Sequence, residues 1–191
     1  MNHIDEIAWR PGFNDPEPMG WITFAAYGIA SVLCICAALR RDDSPPGRES
    51  KLAWLLLGLA LGFLGVNLQL DLHVLLIQFG RRIAETDGWY EKRRSYQQAF
   101  TVAFSAGLIA CVFFGARKFG TFVKNQRLAV TGALLIIGYV LVRNASFNHI
   151  DDRKGSMWDM KDSLRLVELA GVVAIGLAAW RSSSADDRSP R

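Results

Sequence analysis

The chain has 191 residues, of which 51% are hydrophobic and 21% charged, and its net charge is +4. Its mean hydropathy of +0.16 is low for a membrane protein, but the charged residues are concentrated in short segments between long apolar runs. A soluble protein would carry charges every few residues along the wet faces of its helices. This distribution excludes an ordinary soluble fold and predicts an all-α fold, a polytopic transmembrane helix bundle in one domain.

Five apolar segments approach the length of about 20 helical residues that the hydrocarbon core of a bilayer requires. They cover residues 20–39, 52–70, 98–116, 126–146 and 164–180. Each must be helical, because backbone amides in hydrocarbon have no water to bond. We therefore expect five spans between an N-terminal tail of residues 1–19 and a disordered tail of residues 181–191.

The residues around the first span predict its orientation. The preceding tail is acidic and lacks the basic start of a signal peptide, whereas Arg40 and Arg41 follow the span directly. Since basic loops favour the cytoplasmic side, we expect the N-terminus outside and the C-terminus in the cytoplasm.

Small residues and cysteines lie inside the predicted spans. Gly58 and Gly62 have the four-residue spacing that lets two membrane helices approach closely. They serve either packing within one bundle or, as the alternative, a homodimer. The three cysteines, Cys34, Cys36 and Cys111, lack the spacing of a zinc or redox pair, so no cofactor is predicted from them.

The second span has a predicted extension. Over residues 71–86, Asp71, Gln78, Arg82 and Glu85 recur at helical spacing opposite an apolar face. This pattern predicts that the second helix continues to about residue 86 as an amphipathic segment at the membrane interface.

Polar residues collect at the membrane-proximal ends of three spans, and the alternation of five spans places those ends on the outer side. The set comprises Asn67, Gln69, Asp71, His73, Arg143, Ser146, His149, Asp151 and Glu168. An ionisable side chain at membrane depth is costly and normally has a partner inside the bundle. For the charge of Arg143, the candidate partners are Asp71 and Glu168.

Three functions are compatible with this polar layer. It forms a structural hydrogen-bonded network that fixes helix packing. Alternatively, it is an outward-facing site for a lipid headgroup, a quinone or a small polar solute. A third reading is a membrane enzyme in which His73 and His149 bind haem or a metal. The expected partner is the lipid bilayer and not nucleic acid, and no motif of the sequence predicts an enzyme.

Two motifs carry a resemblance to a known group of proteins. They are Asn67-x-Gln69-Leu70-Asp71-Leu72, continued by Gly80-Arg81, Gly88-Trp89-Tyr90 and Arg93-Arg94, and Arg143-x-x-Ser146-Phe147-x-His149-x-Asp151. In these motifs the chain resembles small bacterial multi-pass inner-membrane proteins of unknown function. The resemblance implies a location in the bacterial inner membrane. Some members carry the label isopropylmalate isomerase, but that soluble enzyme needs a cysteine-bound cluster, which cysteines inside apolar spans do not provide.

Overall fold

A computed structural model describes residues 18–41, 47–70, 93–146 and 157–186, and these residues form helices without strands. The six helices are α1 (Pro18–Leu39), α2 (Gly47–Leu70), α3 (Arg93–Lys118), α4 (Gly120–Asn125), α5 (Arg127–Ser146) and α6 (Met157–Asp186). The fold class is therefore all-α, as the sequence predicts.

Local sequence explains several helix ends. Pro18 is the first residue of α1, where a fixed φ and a missing N–H suit the first turn. Glu49 lies in the first turn of α2, where the helix dipole favours a negative charge. Arg117 and Lys118 close α3, where the same dipole favours positive charge.

Four helices of the described chain are long and apolar enough to cross a membrane. They are α1, α2, the segment Thr101–Lys118 of α3 and the segment Ser163–Ser184 of α6. Many large apolar side chains on them face outward, including Ile29, Phe63 and Val102, which are each more than 60% exposed. Such apolar surface is unusual on a soluble monomer and is compatible with a membrane-embedded protein.

Four helices pack side by side in the order α2, α1, α6, α5. α1 and α2 are antiparallel, because Gly58 lies opposite Cys34 while Gly65 lies opposite Tyr27. α5 and α6 are also antiparallel. α1 and α6 run parallel, because contacts advance together along both helices, from Tyr27 with Glu168 to Arg41 with Ser182. α3 lies at the margin of this layer, and the segment Thr101–Lys118 contains no buried residue.

Glycines allow close contacts in two helix pairs, α1 with α2 and α5 with α6. A Cβ added to Gly58 would lie 3.1 Å from Cys34 Cβ, and the Ser31 hydroxyl donates a 2.8 Å hydrogen bond to the Gly58 carbonyl. Gly62 also faces Ser31. These contacts support packing within one chain as the use of Gly58 and Gly62, and the homodimer stays a prediction.

The closest contact joins α5 to α6 at a pair of glycines that the sequence had not singled out. A Cβ on Gly132 would lie 2.6 Å from the Gly171 carbonyl oxygen, and one on Gly171 would lie 2.9 Å from the Gly132 oxygen. Because no side chain separates them, the two backbones touch directly.

The prediction of a disordered tail over residues 181–191 needs a correction for residues 181–186, because α6 continues to Asp186, and residues 187–191 lie outside the described part of the chain. Polar contacts support this last stretch. Arg41 donates a 2.6 Å hydrogen bond to the Ser182 hydroxyl, and Arg40 donates one of 3.2 Å to the Ser183 carbonyl. The end of α1 thus donates hydrogen bonds to a hydroxyl and a carbonyl near the end of α6.

Two further segments lie next to the predicted spans. The segment between the third and fourth predicted spans contains α4, a short helix that the apolar pattern did not predict. The amphipathic extension over residues 71–86 lies outside the described residues, since the description of α2 stops at Leu70.

Candidate functional site

A buried carboxyl group lies between the helices at the centre of the layer. Glu168 on α6 is only 4% exposed, and the Tyr27 hydroxyl of α1 donates a 2.9 Å hydrogen bond to its Oε1 atom. Tyr27 itself is 1% exposed. A buried carboxyl group needs such donors, because leaving its oxygens unbonded away from water costs several kcal/mol.

A second pair of side chains approaches Glu168 from α5. The Tyr139 hydroxyl accepts a 2.8 Å hydrogen bond from Arg143 Nη1, one helical turn away on the same helix. Tyr139 also interacts with Glu168, and Arg143 contributes electrostatically to the surroundings of that carboxyl group. We refer to Tyr27, Tyr139, Arg143 and Glu168 as the polar network. It connects α1, α6 and α5.

Glycine at position 65 lets α2 pack directly over the network. A Cβ on Gly65 would lie 2.9 Å from Tyr27 Cβ, so any larger residue would displace the tyrosine. The parallel course of α1 and α6 then brings the Tyr27 hydroxyl to Glu168. Tyr27 lies about 14 Å along α1 from its first residue, near the middle of the helix. The network therefore reaches deeper into the bundle than the outer layer that the sequence predicts.

The buried amide of Gln69 has no hydrogen-bond partner. Gln69 lies in the last turn of α2 and is 2% exposed, and neither Oε1 nor Nε2 of its side chain is bonded. The antiparallel register of α1 and α2 places it level with Thr23, whose hydroxyl is bonded to the Met19 carbonyl of its own helix. Gln69 is thus a buried donor and acceptor with unmet capacity.

The structure brings together some of the predicted polar residues. Arg143 and Glu168 join through Tyr139, so Glu168 lies near Arg143. Asn67 is half-buried in α2, near Gln69 in sequence. The remaining predicted residues lie outside the described part of the structure, at least in their side chains: Asp71, His73, Ser146, His149 and Asp151.

Two network residues were not predicted from the sequence. Tyr27 and Tyr139 both lie inside apolar runs, whereas membrane tyrosines are enriched at the interfaces. A tyrosine well inside a span needs a partner for its hydroxyl. The position of Tyr27 and Tyr139 well inside apolar runs was therefore the sequence signal that could have identified them.

A metal site has no support among the described residues, which contain no group of three or more His, Cys, Asp or Glu side chains arranged to hold a metal ion. The two histidines of the haem or metal hypothesis, His73 and His149, lie outside those residues. That hypothesis stays a prediction.

The described residues thus form a helical bundle in which polar side chains make contacts between apolar helices. No protein-family model, curated protein or solved structure matches the chain. The proposals below therefore rest on its own residues and geometry.

Proposed function

We propose that this chain is a five-span integral membrane protein in which the polar network fixes the packing of α1, α5 and α6. The observation that carries the proposal is the buried hydrogen bond from Tyr27 to Glu168. In hydrocarbon a carboxyl group without donors is expensive, so the two helices are held in the one register that provides them.

The direction of the helices supports the fifth span. If α1, α2, α3 and α6 cross the membrane in turn, α1 and α6 run parallel only when an odd number of crossings lies between them. α2 and α3 supply two, and α5 supplies the third. Its 20 residues span about 30 Å, the thickness of the hydrocarbon core.

The orientation and location belong to the same proposal. The basic residues Arg40 and Arg41 after α1 favour an N-terminus outside and a cytoplasmic C-terminus. The resemblance of the Asn67 and Arg143 motifs to bacterial inner-membrane proteins supports that membrane. In a chain whose native cysteines are replaced, we expect Ser156→Cys to react with an impermeant thiol reagent from outside and Pro45→Cys not to react. The reverse pattern would invert the orientation.

The structural role is tested by thermal unfolding of the purified protein in detergent. Arg143→Gln and Glu168→Gln should lower the unfolding temperature, while Arg48→Gln, on the exposed first turn of α2, should not. Lipids and quinones extracted from the samples should be the same in all four proteins. A lipid or quinone present in the wild type and absent only from Arg143→Gln would overturn the structural role.

A second function is supported by Gln69. Its buried amide has both a free donor and a free acceptor, which is a hydrogen-bonding pattern that a lipid headgroup, a quinone carbonyl or a small polar solute would satisfy. Under this alternative the outer end of α2 opens to admit the ligand.

The alternative is tested by comparing the wild type with Gln69→Leu. A defined lipid, quinone or solute that co-purifies in stoichiometric amount with the wild type and is lost from Gln69→Leu would favour binding. Equal extracts from the two proteins would remove Gln69 as a ligand contact. Asn67→Leu is the matched control, because Asn67 lies on the same turn of α2 but is half-exposed.

A further inference from the structure

A polar pocket lies at the opposite end of the bundle from Gln69. It has a volume of about 110 Å³ and lies where α1 ends, α2 begins and α4 crosses. Its polar lining consists of Arg41, Glu49, Ser50, Thr121, Asn125 and Gln126. These groups come from three separated parts of the chain, so the fold assembles them.

In the five-span arrangement proposed above, the pocket lies at the level of a membrane surface. Its residues are at the ends of apolar helices, where lipid headgroups meet the protein. Exposed basic side chains surround this end of the bundle, including Arg117, Lys118 and Arg127. They attract the phosphate groups of lipids.

Among the lining residues that the structure describes are one cation and one anion. Arg41 presents a guanidinium group, which suits the oxygens of a phosphate. Glu49 presents a carboxylate, which repels a purely anionic ligand and attracts an ammonium group. A purely cationic ligand is disfavoured in turn by Arg41 and its basic surroundings. The pair of charges therefore favours a ligand that carries both a phosphate and an ammonium group.

The neutral lining groups and the size of the pocket narrow the ligand further. Ser50, Thr121 and Asn125 supply hydroxyl and amide groups that bond phosphate oxygens or ammonium hydrogens. A volume of about 110 Å³ has room for several waters, because a cavity needs about 10–15 Å³ of such volume to hold one water molecule. The pocket accommodates the ionic end of a lipid but not its chains.

The inner wall of the pocket is aromatic. Phe122 lines it and packs edge to face against Trp54, with ring centroids 5.0 Å apart and an interplanar angle of 83°. Trp54 is fully buried, and its indole N–H has no hydrogen-bond partner. Aromatic side chains are typical of the boundary between headgroups and hydrocarbon.

We propose that this pocket binds a phosphoethanolamine group. Arg41 contacts the phosphate, Glu49 accepts hydrogen bonds from the ammonium group, and Thr121 and Asn125 complete the contacts. This chemistry occurs both in the headgroup of phosphatidylethanolamine and in free phosphoethanolamine. The inference does not depend on the role of the polar network.

The test uses the full chain, delipidated in detergent and mixed with equal amounts of phosphatidylethanolamine, phosphatidylglycerol and phosphatidylcholine. Native mass spectrometry measures which lipid stays bound. We expect about tenfold preference for phosphatidylethanolamine, because phosphatidylglycerol lacks the ammonium group and phosphatidylcholine lacks ammonium N–H donors. Glu49→Gln should abolish the preference over phosphatidylglycerol.

Asn125→Leu and Lys124→Gln distinguish a loss of lipid binding from a loss of folding. Arg41→Gln should weaken retention of all three lipids but also removes the Arg41 contact with Ser182. Asn125→Leu changes the pocket and keeps that contact, and it should lower retention of phosphatidylethanolamine about tenfold. Lys124→Gln, on the same short helix but outside the pocket lining, should leave it unchanged.

A competition experiment distinguishes the two sources of the ligand, the lipid headgroup and free phosphoethanolamine. If millimolar free phosphoethanolamine displaces the bound lipid, the pocket also accepts the soluble ester. If the lipid stays bound, the lipid is the ligand. Equal retention of phosphatidylglycerol and phosphatidylethanolamine, or unchanged retention in both Glu49→Gln and Asn125→Leu, would overturn the proposal.

Discussion

The hydroxyl of Tyr27 on α1 donates a 2.9 Å hydrogen bond to Glu168 on α6, across 141 positions of sequence. Both side chains are buried, and both helices are apolar enough to cross a membrane. The bond therefore links the first and last described helices of the chain in surroundings where neither group has water as a substitute partner.

Removal of the Tyr27 hydroxyl should destabilise the bundle. We expect Tyr27→Phe to lower the free energy of unfolding by about 1–2 kcal/mol, because it removes the donor of the interhelical hydrogen bond to Glu168 while the aromatic ring remains. Thr23→Val is the matched control on the same helix. Its hydroxyl bonds only the Met19 carbonyl, so its loss does not separate two helices. Equal losses from the two variants, measured by reversible unfolding in detergent, would contradict the role of the interhelical bond.

The glycine contact between α5 and α6 gives a steric prediction. Gly132→Ala should destabilise the protein by about 1–3 kcal/mol, because the new Cβ would lie 2.6 Å from the Gly171 oxygen. Gly138→Ala, on the same helix, meets nothing within 4 Å and should be neutral or stabilising by about 0.5–1 kcal/mol. If both substitutions have the same effect on the unfolding free energy, α5 and α6 do not touch at these glycines.

The unpartnered amide of Gln69 should reduce the stability of the ligand-free protein. Gln69→Leu removes the cost of burying an unbonded amide, so we expect the delipidated protein to gain about 1–3 kcal/mol. Asn67→Leu, at a half-buried position, should change stability by less. Thermal unfolding of the three delipidated proteins measures the difference, and a loss of stability in Gln69→Leu would mean that the amide is bonded in solution.

Two cysteines on the same helix should differ in reactivity. Cys34 is fully buried between helices, whereas Cys36 is exposed on the outer face of α1. In detergent, a small membrane-permeant thiol reagent should modify Cys36 within the native state and Cys34 only after unfolding. Mass spectrometry of the modified peptides distinguishes the two. Equal rates of modification would contradict the packing of α1 against α2.

The helical fold was predictable because a bilayer restricts the choice of backbone structure. In a bilayer, an apolar run of about 20 residues without charge has to be a helix. The predicted spans 20–39 and 52–70 correspond to α1 and α2. The continuation of α6 to Asp186 was not predictable from hydropathy. Its residues bond Arg40 and Arg41, which are distant in sequence.

The candidate site was predicted in part. The charges of Arg143 and Glu168 stood out because they interrupt apolar segments, and their cost at membrane depth implies partners. Tyr27 and Tyr139 did not stand out, since they carry no charge and only their depth inside apolar runs distinguishes them from tyrosines at the interfaces. Which polar groups meet is decided by helix register, and that register depends on glycine contacts such as Gly65 with Tyr27.

The most direct test of the account is a double-mutant cycle on Tyr27→Phe and Glu168→Leu, with unfolding free energies measured by reversible denaturation in mixed micelles. If the polar network holds α1 to α6, the double variant loses less stability than the sum of the single losses, by about 0.5–2 kcal/mol. Additive losses, with a coupling energy of zero, would show that the two side chains stabilise the protein separately and would contradict the account.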